Sequence, residues 1–162
     1  MRRFMLLAVF ALFVAGTANA QTKTSGTILF GKADPALMIP VGDHPGHFLG
    51  IDQSKGPWTK PMEIGGDKTK DGVSTATHEI HGSTSRTHGT HVGTMESGDK
   101  YFVSYQGMGT VKDGAPTGDK GTWMYTGGTG KLKGITGKGT YNCTTSGDGF
   151  SCEVEGEYQL AK

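Results

Sequence analysis

The stretch Phe150-Ser-Cys-Glu-Val-Glu-Gly-Glu-Tyr-Gln-Leu160 decides the fold class. Phe150, Cys152, Val154, Tyr158 and Leu160 share one parity, and Ser151, Glu153, Glu155, Glu157 and Gln159 share the other. A period of two places the apolar set on the core side of a strand and the polar set in water. The preceding run, Cys143-Thr-Thr-Ser-Gly-Asp-Gly-Phe-Ser-Cys152, sets both cysteines equidistant from Gly147-Asp148. A hairpin turning on that pair brings Cys143 directly opposite Cys152. Facing Cβ atoms lie about 4.5–5.5 Å apart, and a small adjustment closes a disulfide. The spacing is not C-x-x-C, which argues against a redox or metal pair.

Upstream of this hairpin, short runs of similar character alternate with Gly, Asp, Ser and Pro clusters. Strands are expected over 24–31, 47–51, 58–64, 73–82, 86–95, 100–107, 121–126, 131–135 and 139–144, with loops at 34–45 and 67–72. Short connectors imply antiparallel neighbours. A meander of eight to ten strands splits into two sheets or closes into a barrel, and closure removes the edges. The composition agrees. The chain has 28 glycines against 6 prolines in 162 residues, more than twice ordinary glycine usage. An interior glycine weakens a helix by about 0.8–1 kcal/mol, so a helical bundle is excluded. No Gly-X-Y period exists, and aromatic and β-branched residues between the glycines exclude simple disorder.

Residues 1–20 read as a cleaved signal peptide: Arg2 and Arg3, an apolar run from Phe4 to Val14, then Ala18-Asn19-Ala20 as a cleavage site. The run is shorter than the roughly 20 residues that span a bilayer. The mature domain, 21–162, is therefore expected in the periplasm or secreted. It should be soluble, with no membrane anchor, in a compartment that oxidises its two cysteines. The leader takes two of the 16 basic side chains, leaving 14 against 15 acidic ones. A near-neutral domain lacks the field that nucleic acid binding requires.

The stretch Gly121-Thr-Trp-Met-Tyr-Thr-Gly-Gly-Thr-Gly-Lys-Leu-Lys-Gly-Ile-Thr-Gly-Lys-Gly-Thr-Tyr141 is the most distinctive in the chain. Together with Glu155-Gly-Glu-Tyr158 and Gly98-Asp-Lys-Tyr-Phe102, it resembles bacterial proteins of the allene oxide cyclase barrel-like superfamily. The resemblance covers about residues 95–160. It implies a single all-β domain: an eight-stranded antiparallel, calycin-like barrel, related in fold to dirigent proteins and open at one end to a small apolar cavity. It also makes a homo-oligomer an option. Residues 24–64 do not align with the cyclases, so no catalytic residue transfers. Glycines 127, 128, 130, 134, 137 and 139 are expected at barrel corners.

All six histidines fall in three H-x-x-H pairs, 44/47, 78/81 and 88/91. Residues three apart on a strand point to opposite faces, so no pair chelates an ion within one strand. A hairpin turning on Thr84-Ser85 sets His81 opposite His88 on an outer face with Glu79, and His78 opposite His91 on an inner face. Gly89 and Gly93 flank His91 and are expected to leave hollow space there. The cup candidates are His78, His91, Phe102, Trp123, Tyr125 and Tyr141, with Tyr101, Tyr105, Met108 and Tyr158 as further apolar material.

The reading is an exported barrel that binds a small apolar or amphipathic molecule without strong catalytic machinery and without a required cofactor. One alternative is a cyclase or isomerase in which His78 or His91 polarises an oxygen. Another is a periplasmic Zn or Cu site on His81 and His88, with Glu79 and with His44 or His47 should the 44–47 loop fold over that face. Against a hydrolase, G-x-S-x-G and H-E-x-x-H are both missing from the sequence.

Overall fold

The computed structural model describes residues 21–162, and the expected signal peptide lies outside the described residues. Ten strands follow one another: β1 (Thr22–Phe30), β2 (Ala36–Pro40), β3 (His47–Lys60), β4 (Glu63–Ile64), β5 (Asp67–His81), β6 (Thr84–Met95), β7 (Lys100–Lys112), β8 (Ala115–Gly128), β9 (Thr136–Ser146) and β10 (Gly149–Gln159). The only helical element among the described residues is a 3-10 turn, Gly130–Leu132. Eight strands form one antiparallel sheet in the order β3-β1-β10-β9-β8-β7-β6-β5. Pairing of β3 with β5 closes it into a barrel. β2 and β4 are short additions paired to β3 and β5.

The turns follow from local chemistry. Gly65-Gly66 joins β4 to β5 with φ of 62° and 81°, and Asp113-Gly114 joins β7 to β8 with φ of 51° and 78°. Two residues at positive φ make the mirror-image turn whose twist matches that of the flanking strands. The last hairpin turns on Gly147-Asp148, with Cys143 opposite Cys152 and bonded to it, as the symmetry of the sequence requires. Cys152 is part of the buried core. The loop closed is short and the hairpin already holds its ends together. Replacing both cysteines by alanine should therefore cost about 2 kcal/mol, read as a lower urea midpoint with an unchanged native spectrum.

Four segments differ from the sequence expectation, each for an identifiable reason. Residues 47–51 and 58–64 are not separate strands: β3 runs unbroken through Asp52 and Ser54, whose polar side chains line an internal cavity. Residues 67–72, expected as a loop, begin β5. Residues 36–40, also expected as loop, form β2, which is exposed along its whole length. Residues 131–135, expected as a strand, continue the 3-10 turn that begins at Gly130, and their two apolar side chains, Leu132 and Ile135, are buried as a plug. That plug closes one end of the barrel together with Met62, Ile64 and Met95, each buried. Tyr158 locks it by accepting the Gly65 N–H at 2.9 Å. The other end carries the turns 81–84, 112–115 and 146–149 and remains open.

Candidate functional site

A cavity of about 350 Å³ occupies the open half of the barrel. Most of its wall is apolar, from Ile28, Phe30, Trp58, Val103, Tyr125 and Val154. One sector is polar, and its groups are joined. His78 Nε2 donates to Asp52 Oδ2 at 3.0 Å, and His78 Nδ1 lies 3.3 Å from Thr87 Oγ1. The Thr87 hydroxyl donates to Asp119 Oδ2 at 2.5 Å, and the Tyr141 hydroxyl donates to Asp119 Oδ1 at 2.7 Å. Thr87 has one hydroxyl proton and gives it to Asp119. These hydrogen bonds therefore run from β3 through β5, β6 and β8 to β9.

The crossing from β6 to β8 depends on Gly107 of β7. A Cβ there would meet the Tyr141 hydroxyl and stand 2.5 Å from Asp119 Oδ1. Burial and the Asp119 carboxylate keep the Tyr141 proton in place, far above the usual phenol range. Burial likewise pushes Tyr105 up to about 12, and its hydroxyl pairs with Ser74 Oγ at 2.6 Å. His91 is set differently. Its ring stands edge-on to Phe30 and near Tyr101, and burial pushes its pKa down to about 4. It is neutral at pH 7 and packs over the bare backbone of Gly72.

Of the sequence candidates, His78, His91, Trp123, Tyr125 and Tyr141 line the cavity. Phe102 does not: Tyr101 and Val103 take the inward positions of β7, and Phe102 sits opposite the exposed Val92. Met108 also faces outward and is half exposed. The expected hairpin on Thr84-Ser85 turns instead on Gly82-Ser83, because Gly82 supplies the positive φ that a β-branched threonine disfavours. His78 therefore faces Thr87, and His91 faces Ser74. His81 does not meet His88, which faces Thr77 on the outer surface. The slip is two residues on each strand, so the inner and outer sets keep their faces.

The hollow expected above Gly89 and Gly93 is filled by the rings of Tyr105 and Tyr101. Gly139 is not a corner but an interior residue of β9, lying beneath Trp123. At the open rim, His44, His47 and His81 converge beside Glu79. Sequence reasoning missed Asp52, Thr87 and Asp119. The parity of β8 carries a signal for Asp119, which shares a face with Trp123 and Tyr125. A wider depression of about 1190 Å³ crosses the outer surface among Lys23, Gln106, Met124, Lys138 and Glu155, but it is open and solvated.

The barrel has a counterpart among solved structures. It is similar to a conserved protein of unknown function from Rhodopseudomonas palustris, with a TM-score of 0.53 and 9% identity, over 86% of this chain and 99% of that one. A protein of unknown function from the DUF3224 family of Shewanella oneidensis MR-1 aligns with a TM-score of 0.45 and 14% identity, over 88% of this chain and 99% of that one. No family model and no curated protein matches the chain. The first likeness is one of fold: a small β-barrel. The described residues contain no helix long and apolar enough to cross a membrane.

Proposed function

We propose that the barrel binds a small, mainly apolar molecule bearing one neutral oxygen function, with His78 and Asp52 holding that oxygen. The observation that carries this reading is the cavity of about 350 Å³, apolar on most sides and polar on one. At about 30 Å³ per water-sized group, it takes a ligand of about a dozen non-hydrogen atoms. The carboxylates of Asp52 and Asp119 disfavour an anionic head group, so an alcohol, phenol or ketone suits the cup better than a carboxylate. The resemblance to the allene oxide cyclase barrel-like superfamily supports a cup of this kind. The leader-like N-terminus and the disulfide support a periplasmic or secreted setting.

The Asp52–His78 pair favours a second reading, an isomerase or cyclase in which His78 moves a proton at the bound oxygen. Titration calorimetry with 1-decanol, thymol and decanoate separates these readings from an inert barrel. The two neutral probes should bind one per chain and decanoate should bind least. His78→Phe should weaken them roughly 10- to 100-fold, the loss expected for one strong hydrogen bond. Absence of binding by all three probes would reject the cup. Turnover of a bound probe that Asp52→Asn abolishes would move the reading to the enzyme.

A further inference from the structure

We infer that His44, His47 and His81 form a three-imidazole site for a divalent zinc or copper ion at the open rim of the barrel, separate from the cup. The backbone assembles it. His47 opens β3 and His81 ends β5, and the two are register partners, so their rings lie 4.0 Å apart. The loop from Val41 to Gly46 doubles back, with Gly42 and Gly46 at φ of 86° and 82°, and delivers His44 onto both rings at 4.9 and 5.4 Å. One potential ligand atom from each histidine lies within 4.8 Å of the other two.

The second nitrogen of every ring faces a carboxylate. Asp43 Oδ1 accepts from His47 Nδ1 at 2.7 Å, and Asp43 Oδ2 lies 3.1 Å from His44 Nδ1. Glu79 Oε1 lies 3.4 Å from His81 Nε2. These contacts leave His44 Nε2, His47 Nε2 and His81 Nδ1 as the lone-pair atoms. Carboxylates on the outer nitrogens are how proteins fix the tautomer of metal-binding imidazoles and raise their basicity. His44 Nε2 and His81 Nδ1 are 3.4 Å apart. That matches the edge of about 3.3–3.4 Å expected for a tetrahedral ion with ligands at 2.0–2.1 Å.

His47 Nε2 is the independent sign of a ligand. It is buried, on a side chain only 10% exposed, with no hydrogen-bond partner among the described residues, and the nearest carboxylate oxygen, Glu79 Oε1, stands 3.6 Å away. Lone pairs gathered at one place repel, and a buried acceptor without a donor is costly, whereas a divalent cation answers both. The two carboxylates, Asp43 and Glu79, balance its charge. Imidazole sets of this kind select zinc, copper or nickel over calcium or magnesium. The rings are stacked, so His44 and His81, each 48% exposed, turn to bring their lone pairs onto the ion while His47 stays fixed. Three protein ligands leave one position of the tetrahedron for solvent or an exogenous group.

Untagged full-length protein, stripped with EDTA, is titrated with Zn²⁺ and then with Cu²⁺, with melting temperature as a second readout. One ion should bind per chain with a dissociation constant on the order of micromolar or tighter. Cu²⁺ should bind more tightly than Zn²⁺. His44→Ala and His81→Ala, at exposed positions that leave the fold intact, should each weaken Zn²⁺ at least roughly 100-fold and abolish its thermal stabilisation. Asp43→Asn and Glu79→Gln should weaken it roughly 10- to 100-fold. His88→Ala, on the outer wall away from the cluster, should change nothing. Failure of the intact protein to bind Zn²⁺ would overturn the site. Retention of wild-type affinity by the His44→Ala/His81→Ala double variant would overturn it too, as would an equal loss from His88→Ala.

Discussion

Replacing Gly139 by alanine should cost the fold about 3 kcal/mol and lower its melting temperature by roughly 10 °C. Gly139 of β9 and Gly156 of β10 are register partners, and the Trp123 indole lies across both. A Cβ on Gly139 would overlap the Glu155 carbonyl oxygen and stand 2.6 Å from Trp123 Cζ2. Neither neighbour can retreat. The carbonyl belongs to the sheet ladder, and the indole is pinned because its Nε1 donates to the Thr140 carbonyl at 3.1 Å. One methyl group must therefore open the β9–β10 seam or drive the Trp123 indole into the cavity. Gly31→Ala is the control. A Cβ there meets only the Lys55 carbonyl, at an ordinary 3.7 Å, and the melt should stay within about 2 °C of the parent. Thermal melts followed by far-ultraviolet dichroism and by tryptophan fluorescence decide the matter. A Gly139→Ala protein melting with the parent would refute this account of the glycines.

Acid should weaken the protein in a window set by His91. Burial depresses its folded pKa from 6.5 to about 4. Between those values the unfolded chain takes up a proton that the folded chain refuses. Stability is therefore flat above about pH 6.5 and falls as the pH drops towards 4, by about 3 kcal/mol at most. The exposed Asp67 has its pKa lowered below 3.8, with its hydrogen bond to Ser97 the chief cause, so its contribution is lost below that window. Urea midpoints at pH 7.5, 6 and 5 should fall steadily for the parent. In His91→Phe, which keeps a ring over Gly72 and beside Phe30, they should stay nearly level. An equal decline in both proteins would place the acid sensitivity elsewhere.

The architecture was legible where alternation coincided with burial. β10 reads from its sequence alone, and the disulfide reads from the symmetry of its hairpin. Legibility failed where inward positions are polar. Asp52 and Ser54 face the cavity, so β3 looks like a loop in the middle, and the feature that hides the strand is the one that makes the site. It failed again where a local pattern imitated a strand, as in the plug at Leu132 and Ile135. For the histidines, parity survived an error of register, so the inner and outer sets could be read before their partners could. The meeting of His44 with His81 is set by a loop whose path no periodicity encodes.

The rings lying on bare backbone have a consequence for how the cup selects. Tyr101 rests on Gly93, Tyr105 on Gly89, Tyr141 on Gly107 and Trp123 on two glycines at once. A ring in that position cannot swing aside or turn over unless the strand beneath it yields, so the lining behaves as a cast mould. A molecule bound as proposed would meet a shape fixed beforehand and lose little to rearrangement of the wall. Selectivity would then come from stiffness, which glycine, the most permissive residue in the chain, supplies by leaving its neighbours no room.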